Sequence, residues 1–69
     1  MKCIINKRIF EARKELSLSQ GQLAKLCNVK QSCVSKWERG ATLPDAQMIC
    51  ILSKVLSVSS DFLLGIKDY

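Results

Sequence analysis

The side chains able to do chemistry in this chain collect between Ser19 and Gly40, in the stretch SQGQLAKLCNVKQSCVSKWERG. At helical spacing, Val34 and Trp37 fall on one side of Lys30–Arg39, while Gln31, Ser32, Ser35 and Lys36 fall on the other. An amide, two hydroxyls and an ammonium make hydrogen bonds; they do not break covalent ones. Such a face suits base edges and phosphates, because it takes no unpaired carboxylate out of water. The one acid of this segment, Glu38, stands near its end. Equipment for catalysis is missing. The chain has no His, no glycine-rich phosphate loop and no carboxylates paired in a plausible pocket, so no enzyme is expected.

Five short helices are expected to position that face. Ile5, Ile9, Ala12 and Leu16 form one apolar stripe, which predicts a first helix over Asn6–Leu16. Ser17–Leu18–Ser19 breaks it, and Ser19 can cap a second helix over Gln20–Cys27 with Leu23, Ala24 and Cys27 inward. Gly21 weakens that helix by up to about 1 kcal/mol relative to Ala. Asn28 tolerates the left-handed conformation that ends a helix. Val29 then turns an apolar side chain into the corner. The third helix spans Lys30–Arg39 and stops at Gly40. After a loop containing Pro44, Asp45 caps a fourth helix over Ala46–Leu56, with Ile49, Leu52 and Leu56 at helical spacing. Ser57–Val58–Ser59 repeats the earlier break. A fifth helix over Ser60–Leu64 ends at Gly65, with Val58 and Leu63 closing the core.

Length and composition bound the rest. The chain has 69 residues, which is one domain, and 48% of them are hydrophobic. No apolar run approaches the roughly 20 residues of a membrane span, and the start MKCIINKRIF lacks the form of a signal peptide. A cytoplasmic protein is expected. Net charge is +5, from 11 Lys and Arg against 6 Asp and Glu. That excess fits a polyanionic partner without specifying one. It concentrates in Lys25, Lys30, Lys36 and Arg39. The four cysteines, at positions 3, 27, 33 and 50, are irregularly spaced and show no metal or redox motif. They read as small hydrophobes of a reducing compartment, with Cys27 and Cys50 in the core and Cys3 near the surface.

Two short helices joined by a tight turn form a helix-turn-helix, the first crossing a DNA backbone and the second lying in the major groove. Here the residues become recognisable. Leu18–Gly40, reading LSQGQLAKLCNVKQSCVSKWERG, resembles the helix-turn-helix of the phage repressor and Cro family, also called the XRE family. The likeness extends over Leu23–Ala24, Val29, Ser32, Val34–Ser35, Trp37–Gly40, Pro44 and the closing VSSDFLLG, nearly the whole chain. It implies a single helix-turn-helix DNA-binding domain over 1–69, with the motif itself at about 19–40. The implied fold is all-α, a compact five-helix bundle of the lambda-repressor-like DNA-binding type.

The resemblance also implies roles. Gln20 stands where the family commonly places a Gln at the start of the second helix, which meets a phosphate and helps orient the reading helix. Gln31 stands where the family reads a base, and a Gln amide pairs bidentately with adenine N6 and N7. Ser32, Ser35 and Lys36 are the next outward positions. Arg39, Gly40 and Thr42 lie where far phosphates are held. Arg13 and Glu38 match a family salt bridge, expected to join the first helix to the third and to present Arg13 to a phosphate. Trp37 is expected between helices rather than stacked on a base. Two departures stand out. Asn28 replaces the usual turn Gly, and Lys30 replaces the usual Ser, Thr or Asp cap. Lys30 gives up a cap of roughly 1 kcal/mol and places a cation at the unfavourable end of the helix dipole. A nearby phosphate reverses that sign, so Lys30 is expected to be a phosphate contact.

The implied function is a sequence-specific DNA-binding transcriptional regulator, a repressor that binds a palindromic operator as a homodimer. Phage repressor, antitoxin and restriction-modification controller all fit. A protein-interaction module that does not read DNA is the other reading. The apolar residues of Phe62–Ile66, with the nearby end of the fourth helix, are the expected dimer contact. A chain of this length leaves no room for a ligand-sensing domain, so control is expected from concentration, dimerisation or a partner. Neither cofactor nor small-molecule ligand is expected.

Overall fold

The computed structural model describes residues 4–68. It contains α1 (Ile5–Glu15), α2 (Gln20–Cys27), α3 (Gln31–Arg39), α4 (Ala46–Val55) and α5 (Ser60–Leu64), with no strand among the described residues. These bounds differ from the expected ones by a residue at most. Helix α3 packs against α1 and α2, α4 against α2 and α5, and α5 also against α1. The body measures 28 × 23 × 20 Å.

Local chemistry sets the starts of three helices. Ser19 caps α2 in a capping box: the Gln22 N–H donates to Ser19 Oγ at 3.0 Å, and the Ser19 N–H donates to Gln22 Oε1 at 2.8 Å. Asp45 Oδ1 accepts the Met48 N–H at 2.8 Å, and Ser59 Oγ accepts the Phe62 N–H at 3.0 Å. The other ends share one device. Ser17, Asn28, Gly40, Ser57 and Gly65 are all left-handed, with φ of 58°, 59°, 76°, 57° and 80°. The next N–H in each case donates back five residues: Leu18 to Arg13, Val29 to Ala24, Ala41 to Lys36, Val58 to Ser53, and Ile66 to Asp61. This is the Schellman closure, and its last residue is apolar at every corner. The two Ser corners carry a left-handed cost that Gly and Asn largely avoid.

The core draws on every helix. Ile9, Leu23, Val34, Leu52 and Leu63 are fully buried, and Ile5, Cys27, Trp37 and Leu56 nearly so. Each large aliphatic side chain in this set contributes about 2 kcal/mol through burial. Trp37 packs inside, between helices, as expected.

Two core expectations fail. Cys50 is exposed. It lies two residues from the buried Leu52, about 200° round the helix axis, and so points away from the core. Leu16 is 44% exposed. It follows the last residue of α1, where the chain has begun to turn, and it lines an open cleft of about 330 Å³ with Leu56, Val58 and Phe62. Cys27 is buried and Cys33 half-buried, while Cys3 lies outside the described residues. No helix among the described residues is long and apolar enough to cross a membrane.

Candidate nucleic-acid interface

The turn between α2 and α3 is built by Asn28 in the left-handed conformation, followed by Val29 packed against the core. Lys30 is extended, with φ −78° and ψ 150°, and stands at the N-cap of α3 with no side-chain cap hydrogen bond. The backbone thus adopts cap geometry although its side chain cannot accept a hydrogen bond. The first turn of α3 has no acid either. Its free N–H groups, together with the Lys30 ammonium, make a cationic end suited to an anion.

Val34 and Trp37 bury the inner face of α3. The expected outward residues do face outward: Gln31, Ser32 and Lys36 are exposed and Ser35 is half-buried. Lys30, Arg39 and Thr42 are exposed around them. Five of these seven residues lie on one nine-residue helix, with Lys30 and Thr42 flanking it, so a single rigid element sets most of their spacing. A hollow beside Gln31 is lined by Ser19, Gly21, Gln22, Lys25 and Val29. A Cβ on Gly21 would lie 3.5 Å from Gln31 Oε1, an ordinary contact.

Behind this face lies a buried ion pair. Arg13 Nε donates to Glu38 Oε2 at 2.6 Å, and Arg13 Nη2 donates to Glu38 Oε1 at 2.9 Å. The two side chains are 9% and 6% exposed. The expected bridge is present, but as a buried bidentate pair rather than a surface contact. Hydrogen bonding to Glu38 raises the Arg13 pKa above its ordinary value, desolvation opposes this, and the Glu38 charge adds to it. The phosphate role expected of Arg13 gains no support. Its Nη1 donates to the Leu18 carbonyl at 2.8 Å, and with 9% of the side chain exposed little of the guanidinium is open to a phosphate.

Gln20 is half-buried at the start of α2, and its Nε2 donates to Glu38 Oε1 at 3.0 Å. Sequence reasoning placed Gln20 at the interface but missed this bond, since nothing in the spacing of residues 20 and 38 announces it. Gln22 was also missed. The pattern Ser19-x-x-Gln22 is a readable capping-box signal.

A family model described as helix-turn-helix matches residues 9–63. The chain belongs to that family, of the XRE type its sequence resembles. Repressor protein C2 of Salmonella phage P22 is 38% identical over 61 residues, covering 88% of this chain and 28% of that protein. The HTH-type transcriptional regulator DicA of Escherichia coli K12 is 40% identical over 60 residues, covering 87% of this chain and 44% of the regulator. The chain therefore spans less than half the length of these two relatives. Among solved structures, the P22 c2 repressor in complex with a synthetic operator superposes with a TM-score of 0.87 at 34% identity, covering 97% of this chain and all of that one. SinR of Bacillus subtilis in complex with DNA gives 0.81 at 38% identity, covering 87% of this chain and 97% of the other.

Proposed function

We propose that this domain binds double-stranded DNA in a sequence-specific way, as the reading head of a transcriptional regulator of the repressor type. The carrying observation is the outer face of α3, where exposed Gln31, Ser32 and Lys36 share one rigid helix with no acid in its first turn. The P22 c2 repressor, solved with a synthetic operator, and SinR, solved with DNA, share this fold over most of the chain. In this reading Gln31, Ser32, Ser35 and Lys36 meet base edges in the major groove. Gln20, Lys30, Arg39 and Thr42 hold phosphates on either side. Phosphate contacts set the register and base contacts set the sequence.

One such helix reads only a few base pairs, so a homodimer on a palindrome is part of the proposal. Its half-sites lie about 34 Å, one helical turn, apart. The exposed Leu64, at the end of α5, and Ile66 just beyond it support a contact there. A cytoplasmic location is part of the same proposal. Phage repressor, antitoxin and restriction-modification controller remain alternatives within this reading.

Selection of bound duplexes from a random pool tests it. The expected product is a palindrome, and Gln31→Ala should then cost about 1–3 kcal/mol and relax the preference at one position per half-site. Recovery of no common sequence sinks the specific reading and favours a protein-interaction module. A loss shared equally by all duplexes makes Gln31 a phosphate contact.

A further inference from the structure

We propose that the cleft between the end of α1 and the α4–α5 corner is a docking site for a cationic amphipathic helix of another protein. The inference goes beyond the DNA-reading function and does not rest on it. The cleft has a volume of about 330 Å³, and its lining comes from α1, the α4–α5 corner and α5. Ala12 and Leu56, both buried, form its floor. Leu16, 44% exposed, and the half-buried Val58 and Phe62 form its walls. Arg8 fixes Phe62: the guanidinium lies 4.2 Å from the ring centroid, and Arg8 Nη1 donates to the Phe62 carbonyl at 3.3 Å. A wall fixed before binding lowers the ordering cost of a complex. The cleft also opens away from α3. Arg13 turns to Glu38 of α3, while Glu11 and Glu15, two residues to either side of Arg13, lie about 200° round the α1 axis from it. A partner seated in the cleft therefore leaves the outer face of α3 free.

The class of occupant follows from charge. Glu11 and Glu15 rim the cleft. The chain has six acids, and the others are engaged: Glu38 with Arg13, Asp61 with Lys67, Asp68 with Arg8, and Asp45 as the cap of α4. Among the described residues Glu11 and Glu15 form no ion pair, although Lys7 and Lys14 neighbour them on α1. They stand at i and i+4, where like charges repel, and a cation beside them relieves that cost. The two acids are one helical turn, about 6 Å, apart, which matches Lys or Arg side chains one turn apart on a partner helix. Apolar residues on the same face of that helix then enter the cleft, as an amphipathic helix lies in a groove. A second copy of this chain is the poorer occupant. A two-fold contact centred here sets the same patch against itself, and so brings two pairs of acids together. Leu64 and Ile66, which support the homodimer contact, are not among the lining residues.

The test selects a displayed library of random peptides on the immobilised domain, then titrates the enriched sequence, as a synthetic peptide, by fluorescence anisotropy. The expected consensus combines Leu or Phe with Lys or Arg at helical spacing. A domain of net charge +5 repels cationic peptides as a whole, so such a consensus reports local acids. The double variant Glu11→Gln, Glu15→Gln should weaken the peptide about five-fold or more. Leu16→Ser should weaken it about ten-fold. These three side chains are exposed, so both variants should keep the wild-type fold, with thermal midpoints as the check. Should Leu16→Ser unfold, the double variant decides alone. An acidic or uncharged consensus, no enrichment, or an unchanged affinity in the double variant overturns the proposal. Sedimentation supplies the last outcome: a wild-type dimer that Leu16→Ser abolishes makes the cleft a contact between copies and overturns the proposal as well.

Discussion

At the scale of single residues, burial changes what the charged and polar groups do. Arg13 and Glu38 illustrate this. An exposed pair of this kind is worth under about 1 kcal/mol. Burial makes the pair costly to break instead, because removing one partner strands a charge out of water. Cys27 is the neutral counterpart. Desolvation raises the pKa of its thiol above the ordinary value. The folded state therefore keeps a proton that the unfolded state gives up as pH rises. This contribution to stability is complete below the ordinary thiol pKa of about 8.5 and is lost progressively above it. Thermal midpoints taken from pH 7.5 to 10 should show an alkaline decline that is smaller in Cys27→Ala than in the wild type. Equal declines in the two proteins would place the titrating group elsewhere.

At the scale of elements, the helix ends carry both stability and the candidate function, and the two conflict at Lys30. Lys30→Ser should supply the missing cap and stabilise the domain by about 1 kcal/mol. The same change removes a cation from the phosphate-facing end of α3. DNA affinity should fall for all sequences alike, with the salt slope shallower by about one per subunit. Chemical denaturation and binding isotherms on one variant check both halves; a variant gaining stability without losing affinity would make Lys30 a bystander. Gly21 is a second reserve in the same unit. Its Cβ position is open to ordinary contact, so Gly21→Ala should add up to about 1 kcal/mol. For a domain of this size that raises the thermal midpoint by up to several degrees, and an unchanged or lower midpoint would show that Gln31 needs the space. Helix bounds were legible in the sequence because Ser19, Asp45, Ser59, Gly40 and Gly65 are strong local punctuation. Ser17 and Ser57 were not legible as left-handed corners. Ser lacks the intrinsic preference of Gly or Asn, and the five-residue backbone closures at these corners hold it there.

At the scale of the whole molecule, net charge +5 meets a small body whose candidate contact cations are Lys30, Lys36 and Arg39. Two phosphates neutralised per subunit, by Lys30 and Arg39, give a homodimer a slope of log affinity against log salt of about −4. Affinity should then drop about 10²-fold between 50 and 200 mM salt. A flat response across that range would argue against phosphate binding by this face.

By itself the sequence determined the five-helix order, most caps, the inner and outer sides of α3 and the helix-turn-helix motif. These depend on spacing and residue type within a few turns of chain. Tertiary structure alone decided the fates of residues whose neighbours are remote in sequence. Leu16 continues an apolar stripe yet lies open, because no element covers the corner after α1. Cys50 has the character of a core residue yet points outward, because Leu52 and Leu56 set which side of α4 faces in. Gln20 reads as a surface amide, yet the fold brings it to a carboxylate 18 residues away, already held by Arg13 a further seven residues back. Local periodicity encodes which face is apolar; only packing settles which atoms a buried charge will meet.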